Sequence, residues 1–129
     1  MMAITYQIDR AAGIVFTTSA GDITLDDIAE HCRRLRSDTA FSPLFSELLD
    51  YTGTSPALSL EEMRHVADSL DPYSGEARRA IVASSDLNYG VARMFGAVLA
   101  GDTVAVFRSM DEALAWLRPE ATAAEHRTS

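Results

Sequence analysis

The run Ala80-Ile81-Val82-Ala83 is apolar at every position and sits between Arg79 and Ser84. A strand with one wet face alternates polar and apolar residues. An unbroken apolar run this short, rich in branched side chains, is instead a strand covered on both faces, as in the middle of a parallel sheet. Such a strand needs helices packed over it, which restricts the chain to the α/β class.

The flanking segments supply those elements. Ala3–Asp9 alternates, with Ile4, Tyr6 and Ile8 on one side and Thr5, Gln7 and Asp9 on the other, as an edge strand does. Asp9–Gly13 is a turn, and Ile14–Thr18 returns antiparallel to the first strand. Thr24 caps a first helix, with Asp27 three residues on and Leu25, Ile28, Ala29, Cys32 and Leu35 facing the core. A third strand covers Glu47–Tyr51. A hydroxyl-rich loop (Thr52, Gly53, Thr54, Ser55, Pro56) then leads to a second helix capped by Ser59 and stopped by Asp71-Pro72. Its buried stripe is Leu60, Met63, Val66, Ala67 and Leu70.

Ser84-Ser85-Asp86 opens a third helix, whose expected stripe is Leu87, Val91, Met94, Phe95, Val98 and Leu99, with Gly101 as its stop. Thr103–Phe107 is the last strand, and Ser109 with Glu112 forms a capping box for a fourth helix carrying Ala113, Leu114 and Leu117 inward. The order ββαβαβαβα predicts a mixed five-stranded sheet with helices packed on it. Residues 1–118 form one domain, and 119–129, which lack periodicity, read as a flexible C-terminal tail.

Composition narrows the role. The 129 residues carry 19 acidic and 11 basic side chains, a net charge of −8, which opposes nucleic acid and anionic lipid surfaces. No apolar stretch is long enough for a membrane span, and MMAITYQIDR has no basic start or long apolar core of a secretory signal. The single cysteine, Cys32, excludes an internal disulfide and fits a cytoplasmic setting, on the buried side of the first helix. His31 and His65 fall on polar faces of different helices, one turn after Asp27 and Glu61, and His126 lies in the tail, so no metal site is expected. No nucleophile–base pair, paired catalytic acids or cofactor fingerprint is visible; a non-enzymatic protein without a cofactor is expected.

Several details point to a family. Ile4-Thr5-Tyr6 and Gly13-Ile14-Val15-Phe16 in the first hairpin, Asp26-Asp27, Leu35-Arg36 and Asp38 around the first helix, and Leu48-Leu49-Asp50 are the first of them. Arg79–Ala83, Ala92–Phe95, Val106-Phe107-Arg108 and Glu112–Leu117 complete the set. Carrying these, the chain resembles the bacterial SpoIIAA-like family of STAS-like domains over nearly its whole length, to about Leu117. In STAS antagonists of anti-sigma factors, a strand ending in Asp leads to an Asp-Ser-Ser/Ala-Gly sequence at a helix start. The first Ser there is phosphorylated by the partner kinase. Laid on this chain from Asp50, that position falls on Ser59, with Leu58 in place of the Asp and Leu60-Glu61 after it. The resemblance implies a regulatory or protein-interaction domain.

Two candidate surfaces follow. Ser59, with Thr52, Thr54 and Ser55, forms a candidate phospho-site or partner-binding face, although a plain helix cap at Ser59, reciprocated by Glu62, is the simpler account of the serine. Met63, Tyr89, Arg93, Met94 and Phe95 form either a self-association surface, giving a homodimer, or the lip of a pocket. The scaffold is also similar to CRAL-TRIO lipid-binding domains, which makes a small apolar or lipid ligand, held between the second and third helices and the sheet, the alternative function.

Overall fold

The computed structural model describes residues 3–55, 58–99 and 103–118. Five strands, β1 (Ile4–Asp9), β2 (Ile14–Asp22), β3 (Ser46–Ser55), β4 (Arg79–Val82) and β5 (Val104–Phe107), lie in the order β1-β2-β3-β4-β5. β1 is antiparallel to β2, and the remaining neighbours are parallel. The hairpin turns at Gly13, whose φ of +68° suits a residue without Cβ, and its N–H donates to the Asp9 carbonyl at 2.8 Å. The parallel connections carry α1 (Leu25–Ser37), α2 (Leu60–His65) and α3 (Asp86–Leu99), and α4 (Met110–Leu117) follows β5. The expected tail, 119–129, and the expected stop at Gly101 lie outside the described residues.

Because β residues alternate faces, the sheet buries two different surfaces. On one, Leu48, Ala80 and Val82 pack with Ala113 and Leu117 of α4, flanked by Phe16, Phe107 and Trp116. Arg78 fixes α4 from the side: its guanidinium donates to the Trp116 carbonyl at 2.8 Å and lies 4.1 Å from that ring's centre. On the other face, Val15, Leu35, Tyr73 and Ala77 form one cluster under α1, and Ile81, Ala83 and Ala92 form another under α3.

The helix starts follow their capping residues. Thr24 accepts from the Asp27 N–H while Asp27 accepts from the Thr24 N–H, and Ser59 and Glu62 repeat this at α2. At α4, Ser59's counterpart Ser109 accepts from the Glu112 N–H, but the Glu112 carboxylate accepts from the serine hydroxyl instead of its backbone.

Several expectations need correction, among them Leu60, expected in the buried stripe of the second helix but 45% exposed at the first position of α2. β3 continues to Ser55, so Thr52, Gly53, Thr54 and Ser55 belong to a strand and not to a loop. Helical geometry also loosens after His65 into a π-helical turn, Val66–Leu70, where the Asp71 N–H reaches the Val66 carbonyl at 2.8 Å. Arg36 of α1 closes that turn by donating to the Leu70 carbonyl at 2.6 Å. Finally, α3 is rotated from its expected stripe. It buries Asn88, Ala92 and Gly96, whereas Leu87 is 68% and Met94 49% exposed. The small residues decide this. A Cβ on Gly96 would meet Val104 Cγ1 at 3.0 Å, so the helix backbone approaches β5 along the Ala92–Gly96 side.

Candidate functional site

Between α1, α2 and the sheet lies a cavity of about 90 Å³. Its walls are apolar: Ile28 from α1, Met63 from α2, Val66 from the π-helical turn, Leu49 from β3 and Phe95 from α3. Ser55 and Leu58, which flank the start of α2, border it as well.

One end of the cavity is ionic. Glu47, second in β3, and Arg79, first in β4, lie opposite each other in register. Nε and Nη2 of Arg79 donate to Glu47 Oε1 at 3.1 and 3.0 Å, and Nη1 donates to Asp71 Oδ2 at 2.7 Å. Glu47 Oε2 accepts from the hydroxyls of Thr17 at 3.1 Å and Tyr73 at 3.2 Å. The guanidinium carbon stands 4.4 Å from the centre of the Tyr73 ring. The side chains of Arg79 and Glu47 are only 9% and 7% exposed, so these charges depend on each other and on the hydroxyls for stabilisation. The π-helical turn contributes by delivering Asp71 to Arg79. Without the pairing, three ionisable groups would stand in a low dielectric.

The network sets the protonation of its neighbours. Burial opposes the charge of Arg79, yet Glu47 and Asp71 outweigh it and hold the guanidinium firmly protonated. Burial raises the Asp71 carboxyl, with Arg79 pulling the other way. Burial pushes the Cys32 thiol up to about 12, helped by the negative charges of Asp71 and Glu47, which leaves it an inert thiol. Burial also lowers the pKa of His31. That histidine was expected on a solvated face. It is half-buried instead, borders the cavity, and meets the Tyr6 ring edge-on at 5.6 Å between centres.

The expected hydroxyl surface divides. Ser59 is exposed and occupied as a cap, its hydroxyl accepting from the Glu62 N–H at 3.1 Å. Thr52 is exposed and donates to Asp50 Oδ1 at 2.6 Å. Thr54 is buried. β3 gains one residue relative to β2 between Asp50 and Gly53, and this bulge accompanies the inward turn of Thr54 onto the Ser19 hydroxyl. Asn88 of α3 holds the same segment by donating to the Thr54 carbonyl at 2.7 Å.

The expected pocket group also separates. Met63 and Phe95 border the cavity, so it lies chiefly under α1 and α2, not between α2 and α3. Tyr89 and Arg93 line a shallow groove against β5, where Arg108 covers the Tyr89 ring at 4.3 Å, and Met94 faces solvent. Sequence reasoning passed over Glu47, Arg79, Asp71 and Tyr73. The available signal was an acid and a base, Glu47 and Arg79, each directly preceding an apolar stretch (Leu48-Leu49 and Ala80–Ala83) of successive strands.

No protein-family model matches the chain, and no curated protein matches it. Among solved structures it is similar to an uncharacterised protein of the DUF3478 family from Shewanella loihica PV-4, described as having a SpoIIAA-like fold. That likeness has a TM-score of 0.62 at 20% identity and covers 91% of this chain and 95% of the other. Among the described residues, no helix is long and apolar enough to cross a membrane. The mixed five-stranded sheet, its antiparallel rim and its four helices are therefore those of the SpoIIAA-like fold.

Proposed function

We propose that the chain is a non-enzymatic STAS-like binding module that holds a small apolar ligand beneath α1 and α2 and presents its state to a partner at the β3–α2 rim. The observation that carries this reading is the cavity of about 90 Å³, walled by apolar side chains and bordered at Ser55 and Leu58 by residues just ahead of Ser59. Along its apolar walls a guest of like character displaces water without leaving any polar group unpaired, since the groups of the ionic end are paired with one another. Every polar contact of Glu47 is already made within the protein, an arrangement that suits a fixed wall better than a reacting group.

Xenon-129 NMR tests the reading. A bound-xenon signal is expected for the wild-type protein and is lost when Leu58→Trp fills the rim. Free-xenon behaviour in both overturns the proposal.

A second reading, a partner or self-association surface independent of any ligand, is favoured by the apolar side chains turned outward on α2 and α3. Leu60 is 45%, Leu87 68% and Met94 49% exposed. Sedimentation distinguishes it: a concentration-dependent homodimer abolished by Leu87→Glu with Met94→Glu supports this surface, and a monomer at all concentrations removes it. A partner using the rim should lose affinity on Ser59→Asp, which places a charge beside Glu61 and Glu62.

A further inference from the structure

The ionic end of the cavity selects its occupant's charge. It holds two carboxylates, Glu47 and Asp71, against one guanidinium, Arg79. His31, Cys32 and Tyr51 border the same space, and burial favours the uncharged form of each. An anionic head group would meet a wall with an excess of negative charge. A cationic one would have to shed its water beside the like charge of Arg79, while Glu47 already accepts four donors from Arg79, Thr17 and Tyr73 and Asp71 accepts from Arg79 and the Tyr73 N–H. Arg79 differs. Its three contacts use three of five N–H donors, and Arg79 is one of the residues bordering the cavity.

We propose that the cavity takes a short, uncharged apolar molecule bearing one hydrogen-bond acceptor, an alcohol or a ketone, and rejects the carboxylate and ammonium of the same length. This rests on the cavity reading above and adds the ligand's class. Size limits the length: a cavity of roughly 150 Å³ accommodates benzene, so about 90 Å³ suits a chain of about four or five heavy atoms.

The test is titration of the full chain at pH 7 with 1-butanol, butyrate and butylammonium, followed by amide chemical shifts around Leu49, Met63 and Val66. Butanol should bind with butyrate and butylammonium each at least about ten-fold weaker. Asp71→Asn, which keeps the shape and removes one negative charge, should narrow the butanol-to-butyrate ratio several-fold. Butyrate or butylammonium binding as well as butanol overturns the inference, as does a ratio that Asp71→Asn leaves unchanged. Xenon binding without any response to butanol sinks the ligand class and spares the cavity. Absence of both xenon and butanol binding overturns the two together.

Discussion

On β3, Glu47 and Leu48 are neighbours in the chain and lie on opposite sides of the sheet, as do Arg79 and Ala80 on β4. Leu48, Ala80, Val82, Ala113 and Leu117 make the α4 side a purely apolar core. The α1–α3 side buries the ionic network of Glu47, Arg79 and Asp71, several hydroxyls and a cavity among its apolar residues. One side follows the rule that interiors are filled with hydrocarbon at crystal-like density; the other departs from it. The departure is organised, because among the described residues no buried side-chain nitrogen or oxygen is without a hydrogen-bond partner. Burying the network therefore gives a shaped wall, whereas the α4 face supplies cohesion that does not depend on it.

The largest expected effect separates the two sides by mechanism. Arg79→Ala leaves Glu47 and Asp71 buried without their counter-charge and should cost about 3–5 kcal/mol in urea unfolding. Replacing the three together (Glu47→Leu, Asp71→Leu, Arg79→Met) should recover most of that loss, since a well-packed apolar substitute avoids the desolvation of all three charges. If the triple variant is as unstable as Arg79→Ala, the ionic side is a structural necessity and the contrast between the faces fails.

Leu48→Ala probes the other side. Leu48 is 1% exposed in the α4 cluster, and its truncation should cost about 2–5 kcal/mol through lost burial and the cavity left behind. Xenon or butanol binding beneath α1 should survive in the fraction that remains folded. Thr17→Val comes next. It keeps the shape of the side chain and removes one donor to Glu47 Oε2, for an expected loss of about 1.5–3 kcal/mol, as for other hydrogen bonds to a charged group. An unchanged urea midpoint would mean that the Tyr73 hydroxyl suffices alone.

The sequence made one of these sides far easier to read than the other. Ala80–Ala83 declares a strand covered on both faces, and Thr24 and Ser59 announce their helices through acids three residues on. These signals are local, so the order of elements, the hairpin and the parallel centre follow from them. Tertiary pairing is not local. Glu47 and Arg79 are 32 residues apart and become partners only once β3 and β4 are in register. The π-helical turn that brings Asp71 to them has no periodicity to betray it. Similarly, a stripe counted from large side chains put Leu87 and Met94 inside α3, whereas the fold uses Ala92 and Gly96 to bring that helix close to Val104. Apolar periodicity registers bulk; close backbone approach depends on its absence. The same blindness hid His31, which one turn after Asp27 reads as solvated until β1 brings Tyr6 against it.

The smallest expected effect concerns that histidine and acts only on the cavity side. Burial holds His31 below its ordinary pKa of 6.5 in the folded chain, although the charge of Glu47 pulls it upward. Between the folded and unfolded values, the unfolded chain binds the additional proton, so stability rises with pH through that interval. His31 thus imposes no penalty above about pH 6.5 and an increasing one as the pH falls below it. Asp71 works in the opposite sense. Its folded carboxyl is raised, so its share of stability is greatest below the unfolded value of 3.8 and is lost as pH rises through the folded one. Comparing wild type with His31→Gln cancels the Asp71 contribution common to both. The urea midpoint of the wild type should fall more steeply than that of the variant as pH drops from about 6.5 to 5.5, while the two should change in parallel above pH 7. Equal slopes throughout would place His31 in water in the folded state and detach it from the cavity wall, leaving the ionic end of the site defined by Glu47, Asp71 and Arg79 alone.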